Sequence, residues 1–340
     1  MSPLAGLLET HPMTSATGRQ HRCTLTNWSG QLSAKLQSDI GQLERSVQQV
    51  DSVAPLDDQV RLDVQFGVPD VATHITALTE DADPRTLSGY AHLDRRGDTP
   101  VAHLAVHPQW RRQGIGTALF NQLTWLLDST SESSRPLSVW AHGGLPGAAS
   151  FAEEMGLVEV RSLWQMRRSL ATPLDPPTYR SGISVRAMRP GRDDGAWVAL
   201  NATAFADHPE QGRMTLADLK QRMQQEWFDP QGFFVAERAG DLLGFHWTKD
   251  HSGTGASLGE VYVIGVHPAA QGLGLGKALT LTGLRHLQAV GLDQVQLYVE
   301  SDNSAAVALY ERLGFGLHTA DVLYAVPPVT ATAIATTTGS

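Results

Sequence analysis

The chain has 340 residues, 41% of them hydrophobic and 18% charged, with a formal charge of -9. That length supports two domains of ordinary size, each with its own core, and the acidic balance argues against the broad basic surface that holds a nucleic-acid backbone. Cys23 is the single cysteine, which excludes an internal disulfide framework and a multi-cysteine metal site and points to a reducing, cytoplasmic setting.

Residues 1–25 carry a short apolar patch without a basic lead, and are expected to form a disordered extension with no targeting role. No run of about 18 apolar residues follows anywhere, so no membrane span is expected. In a first domain over 26–170, Val101 to Val106 reads as a buried strand, followed by a glycine loop and then leucines at helical spacing. The prolines of Ala171-Thr172-Pro173-Leu174-Asp175-Pro176-Pro177-Thr178 exclude helix and central strand alike, and a linker over 171–182 is expected there. In a second domain over 183–326, Gly232 to Glu237 and Asp241 to Trp247 read as strands joined by a turn at Ala239-Gly240. Next come the strand Val261 to Val266, a helix after Gly276, the strand Gln294 to Glu300 and a helix from Asp302 to Leu313. That order predicts a mixed sheet covered by helices. Residues 327–340 are mostly Thr, Ala and Pro with little to bury, as in a disordered tail. The thirteen histidines show no close metal-ligand spacing, and no metal is expected.

A repeat organises this order. Val106-His107-Pro108-Gln109-Trp110-Arg111-Arg112-Gln113-Gly114-Ile115-Gly116-Thr117-Ala118-Leu119 recurs as Val266-His267-Pro268-Ala269-Ala270-Gln271-Gly272-Leu273-Gly274-Leu275-Gly276-Lys277-Ala278-Leu279. Downstream, Phe151-Ala152-Glu153-Glu154-Met155-Gly156-Leu157 stands opposite Leu309-Tyr310-Glu311-Arg312-Leu313-Gly314-Phe315. Each copy is strand, glycine loop, helix. Glycines let backbone N–H groups approach an anion, and the following helix adds the partial positive charge of its first turn, so both loops read as phosphate cradles. A Walker A loop would need Gly where Gln271 stands and Ser or Thr where Ala278 stands; a Rossmann fingerprint starting at Gly272 would need Gly where Lys277 stands.

The form that fits is Gln/Arg-x-x-Gly-x-Gly/Ala, present twice, and here the chain resembles the GNAT superfamily of N-acetyltransferases. The resemblance implies an α/β fold of two tandem GNAT domains, each a mixed twisted sheet flanked by helices, with acetyl-CoA as co-substrate. It implies that Gln271, Gly272, Leu273, Gly274, Leu275, Gly276 and Lys277 hold the pyrophosphate of coenzyme A. Ile264, Gly265 and Val266 would line the pantetheine arm, and Asn303, Ser304, Ala305, Ala306, Val307 and Ala308 the other wall. In the first half the same parts would be Leu104, Ala105 and Val106 with Arg112, Gln113, Gly114, Ile115, Gly116 and Thr117.

Acetyl transfer to an amine with a pKa of about 7.7 to 8.0 requires a base, and Glu260, at the start of the strand Val261 to Val266, is the candidate. The departing thiolate requires an acid. Tyr310, in an Asn-x-x-Ala-x-x-x-Tyr pattern beginning at Asn303, is protonated at neutral pH and is the candidate. The first half has Pro100 opposite Glu260 and Ala152 opposite Tyr310, so it is expected not to turn over. The segments around Glu210, Lys249, Glu260 and Tyr298 resemble tandem GNAT members that acetylate the cysteinyl amine of a cysteine-glucosamine-inositol conjugate, Cys-GlcN-Ins. That resemblance runs from about Asn27 to Tyr324. It implies a small-molecule amine held by Glu210, Lys249, Glu260 and Tyr298, and by Asp58, where the family carries a glutamate. A cationic amine on a polyhydroxylated body calls for such carboxylates and hydrogen-bonding groups. A monomer is expected. Two alternatives stay open: a GNAT enzyme for another amine, such as a protein N-terminus or an aminoglycoside, and a non-catalytic acyl-CoA sensor.

Overall fold

The computed structural model describes residues 8–14, 20–67, 71–79, 87–129, 135–206, 208, 211–254 and 257–327. It divides into two compact units, one of Met1–Arg161 with Asp321–Ser340 and one of Ser162–Ala320.

The first unit is built from β1 (Leu8–Thr14), β2 (Gln20–Trp28), α1 (Ala34–Asp51), α2 (Asp58–Phe66), β3 (Ala72–Thr79), β4 (Leu87–Asp94), β5 (Val101–Val106), α3 (Ile115–Asp128), β6 (Ser138–Ala141) and α4 (Pro146–Glu154). Strands β1 to β5 pair in chain order and antiparallel, and β6 then joins β5 in parallel. Helix α3 lays Ile115, Leu119, Leu123 and Leu127 on one face of the sheet, against Leu25, Ile75, Ala91 and Leu93. Helix α1 lays Ile40, Leu43 and Val47 with Val60 of α2 on the other, against Leu87, Tyr90 and Ala105. The extension expected over 1–25 carries instead β1 and the start of β2, paired from Leu8 with Thr26 to Thr14 with Gln20. Cys23 and Leu25 are fully buried beside β3, and that burial holds β2 on the sheet.

The next strand, β7 (Val158–Ser169), begins in the first unit and has its larger part in the second. There follow β8 (Ser184–Ala187), α5 (Asp194–Ala204), α6 (Leu216–Met223), β9 (Phe233–Arg238), β10 (Asp241–Asp250), β11 (Leu258–Val266), α7 (Leu275–Ala289), β12 (Gln294–Glu300), α8 (Ser304–Arg312) and β13 (Gly316–Ala325). The strands of the second unit run β8-β9-β10-β11-β12, antiparallel except for β11 with β12. Leu163–Ser169 of β7 then pairs antiparallel with β12. Correspondingly, Val322–Ala325 of β13 pairs with β6 in the first unit. The compact units therefore part at Arg161/Ser162 and Ala320/Asp321, while the compositional break lies at 171–182. Chain order within the repeat does not decide which sheet takes the last strand; pairing does. Of the tail expected over 327–340, residues 328–340 lie outside the described residues.

In the second unit α7 covers one face with Leu281, Leu284 and Leu287, against Val261, Val295 and Leu297. Helices α5 and α6 cover the other with Trp197, Leu200 and Leu219, against Phe233, Val235, Phe245 and Trp247. The turn read at Ala239-Gly240 has φ of 52° and 97°, the doubly left-handed form that suits the twist of a hairpin.

Candidate active site

Two irregularities in β11 shape the site. The ladder between β11 and β12 pairs Leu258–Val261 with Gln294–Leu297 and ends there. Beyond it the strands splay, and the backbone of Tyr262 to Val266 runs on without β12 alongside. The second irregularity is a bulge: Trp247 of β10 faces Val263 while Thr248 faces Val261, leaving Tyr262 as the extra residue. Tyr262 and Val263 consequently pack together with Trp227 and Trp247 under α5 and α6, whereas Val261 packs under α7. Strict alternation from Ile264 would have put Glu260 on the α7 face; the extra residue turns it to the other one.

Where β11 and β12 part, a cavity of about 350 Å³ opens. Its walls are Ile264, Gly265 and Val266 of β11, Gln271 of the loop, Gly276 and Thr280 of α7, Asn303, Ala305, Ala306, Leu309 and Tyr310 around α8, and Ala204 with Phe205 at the end of α5. Gly265 is required there, because a Cβ would lie 2.7 Å from the Phe245 ring and 3.2 Å from Ala204. The loop enters α7 through Gly272 and Gly274, at φ of 74° and 78°. Gly274 is the N-cap and supplies no side-chain acceptor, so the first-turn N–H groups have no side-chain cap. Arg180 Nη2 braces the loop at the Gly272 carbonyl, 3.2 Å away. This arrangement fits a pyrophosphate: positive backbone dipoles, a left-handed glycine turn and an adjoining slot.

Tyr310 projects into the cavity from α8, whose N-cap Asn303 accepts from the Ala306 N–H at 3.1 Å. It is 7% exposed, edge-on to Phe315, and burial pushes its hydroxyl up to about 12. Glu260 does not line the cavity. It lies further back on β11, 7% exposed, with Oε2 accepting from His251 Nε2 at 2.7 Å and from Gln296 Nε2 at 2.9 Å. Lys249, directly opposite in β10, places its ammonium 4.8 Å from the Trp227 ring centre and 5.2 Å from that of Tyr262. The Tyr298 hydroxyl accepts from Gln165 Nε2, and its strand position shares the face of Gln296.

The structure therefore gathers Ile264, Gly265, Val266, Gln271, Gly276, Asn303, Ala305, Ala306 and Tyr310 around one cavity, and Lys249, Glu260 and Tyr298 on one sheet face. Leu275 and Val307 point into the core, and exposed Lys277 lies 3.9 Å from Asp175. Sequence reasoning missed Ala204, Phe205, Thr280 and Leu309 as cavity walls. Only Thr280 had a legible signal, one helical turn beyond Gly276, to whose carbonyl its hydroxyl donates. Glu210 lies outside the described residues.

In the first unit β5 and β6 likewise pair only to His103 and Trp140, leaving Leu104 to Val106 beyond the ladder. The loop repeats the left-handed pair with Arg112 at φ 61° and Gly114 at 85°. Arg111, which stands where Gln271 does, donates to the Val106 carbonyl at 3.3 Å and is held by Asp51 at 2.8 and 2.7 Å. Ala152, opposite Tyr310, is buried. Asp58 is paired with Arg61 at 2.9 Å, and Arg61 also takes Glu44 at 2.7 Å. Among the described residues no group of three or more His, Cys, Asp or Glu could hold a metal ion, and no helix is long and apolar enough to cross a membrane.

Comparison with known proteins agrees with this geometry. The "Acetyltransferase (GNAT) family" model matches residues 197–315 and the "Acetyltransferase (GNAT) domain" model residues 73–156. Among solved structures, a GCN5-related N-acetyltransferase from Sphaerobacter thermophilus superposes with a TM-score of 0.64 at 23% identity, covering 88% of this chain and 95% of that one. A tandem GNAT protein from the clavulanic acid biosynthesis pathway does so at 0.66 and 20%, covering 88% and 98%. The mycothiol acetyltransferase of Thermobispora bispora is 50% identical over 285 residues, 83% of this chain and 93% of its own. That of Frankia alni is 48% identical over 326 residues, 90% and 96%. With identity at that level over most of both chains and a GNAT domain in each half, the chain belongs to the mycothiol acetyltransferase family within the GNAT acetyltransferases.

Proposed function

We propose that the chain transfers the acetyl group of acetyl-CoA to the cysteinyl amine of Cys-GlcN-Ins, giving mycothiol and coenzyme A, with the chemistry in the second unit. The observation that carries this reading is the cavity where β11 and β12 part, which sets the glycine loop, the unpaired strand end and a buried tyrosine around one space. The α7 amino terminus receives the pyrophosphate, and the exposed edge of Ile264 to Val266 pairs with the amides of the pantetheine arm. That leads the thioester inward to Tyr310.

Glu260 takes the proton from the substrate ammonium, freeing the nitrogen lone pair for attack on the thioester carbonyl. Lys249 and Tyr298, on the same sheet face, hydrogen-bond the sugar and inositol hydroxyls. Tyr310 gives its proton to the sulfur as the carbon–sulfur bond breaks, so coenzyme A departs as a thiol, and the second proton that the nitrogen sheds as the amide forms restores the phenol. Burial keeps that hydroxyl protonated far above neutral pH, as a donor requires. The first unit lacks both groups and serves as a non-catalytic domain. The single cysteine, which leaves no internal disulfide to form, supports a reducing cytoplasmic setting for the enzyme.

The test is release of free thiol by the purified protein with acetyl-CoA and Cys-GlcN-Ins, against glucosamine-inositol lacking the cysteine. Rapid release with the cysteinyl compound alone is expected. Equal release with both, or with an aminoglycoside or peptide in their place, would reassign the acceptor; tight acetyl-CoA binding with no release for any amine would make the chain a sensor.

A further inference from the structure

Resting on the reading of Glu260 as the base, one further assignment follows from the row of side chains that holds it. Lys249, Glu260, Gln296 and Arg167 are successive register partners across β10, β11, β12 and β7. Within that row Arg167 Nη2 donates to Gln296 Oε1 at 3.1 Å, and Gln296 Nε2 donates to Glu260 Oε2 at 2.9 Å. The orientation of the amide is dictated by its neighbours. A guanidinium has donors only and a carboxylate acceptors only. Turning the amide over would set donor against donor at Arg167 and acceptor against acceptor at Glu260.

Gln296 is 5% exposed and Glu260 7%, so the contact between them is not readily exchanged for water. His251 Nε2 meets the same Oε2 from the other side at 2.7 Å. Two donors on one oxygen fix the plane of the carboxylate and with it the place of Oε1. A base that must meet an amine at hydrogen-bond distance gains from that constraint, since misplacement by a fraction of an ångström weakens proton transfer.

We propose that Gln296, oriented by Arg167, is a positioning residue that clamps the Glu260 carboxylate for proton abstraction. Neither Gln296 nor Arg167 lines the cavity assigned to acetyl-CoA, so the clamp acts on turnover and not on thioester binding.

The experiment is steady-state thiol release with acetyl-CoA and Cys-GlcN-Ins for the wild type, Glu260→Gln, Gln296→Leu, Arg167→Leu, Arg167→Lys and the Gln296→Leu/Arg167→Leu double variant, with melting temperatures alongside. Gln296→Leu and Arg167→Leu are each expected to lower kcat by about tenfold with the KM for acetyl-CoA unchanged. The double variant is expected to lose no more than the worse single one, because both act through one contact. Arg167→Lys, which keeps a donor, is expected to recover most of the loss. Multiplied losses in the double variant, a change confined to the KM for acetyl-CoA, or wild-type kcat in both leucine variants beside an inactive Glu260→Gln would overturn the clamp. Should Gln296→Leu not fold, the Arg167→Leu and Arg167→Lys pair decides: rescue by lysine supports the clamp and its failure sinks it. A fully active Glu260→Gln, or an inactive wild type, removes the base reading itself and the clamp with it, and the control arms show which has failed.

Discussion

At Tyr310 the local environment and the proposed chemistry make the same demand. A phenol with an ordinary pKa near 10 is already a proton donor at neutral pH; burial, by disfavouring the phenolate, moves it to about 12. An alkaline limb in the rate below that pH therefore belongs to another group. Tyr310→Phe is expected to lower kcat by about 10² to 10⁴ while leaving the fold intact, since the ring contact with Phe315 is retained. Difference absorbance titration of the wild type against this variant should show one tyrosine ionising near 12. A missing tyrosine at about 10 would mean that the hydroxyl is solvated and the buried placement wrong.

At the scale of elements, α7 depends on a glycine in its middle as much as on those at its start. Gly283 faces β10, where a Cβ would lie 2.1 Å from the His246 ring, and that ring is buried with Nδ1 at 2.7 Å from the Leu279 carbonyl. Glycine to alanine inside a helix ordinarily stabilises by about 0.5–1 kcal/mol. Here the close approach wins, and Gly283→Ala is expected to destabilise by about 1–3 kcal/mol through overpacking, read as a lower urea midpoint. A raised midpoint would show that the ring can withdraw. Close packing of α7 on β10 matters for the site because the same helix presents Gly276 and Thr280 to the cavity.

For the molecule as a whole, buried histidines set a dependence of stability on pH. Burial is the leading cause in lowering His74 to about 3 and His103 and His246 to about 4, from 6.5. Between the folded and unfolded values the unfolded chain binds more protons, so stability rises with pH through that window. The contribution is complete above about 6.5 and is lost as pH falls toward 4, at no more than about 1.4 kcal/mol per pH unit for each group. Denaturant midpoints are expected to drop from pH 7 to pH 5, and less steeply when His246 is replaced by glutamine. Midpoints unchanged across that interval would mean that these rings are hydrated in the folded state.

The sequence by itself determined the duplicated strand, loop and helix, the left-handed glycine turn at Gln271 to Gly276, and the tyrosine of the second copy in its helix. Those features are local: glycines with positive φ, an N-cap at Asn303 and a helical spacing each leave a mark within a few residues. Non-local pairing decided the rest. The compact units part inside β7 and β13 because the edge that each strand completes is chosen by register across the sheet. The face of Glu260 was decided by a bulge that exists only against β10. Gln296 and Arg167 lie far apart in the sequence and meet only because β12 and β7 pair, and Ala204 and Phe205 reach the cavity because α5 packs on the sheet. Strand β2 looked like part of a loose extension because the burial of Cys23 and Leu25 is supplied against β3, beyond the reach of local pattern.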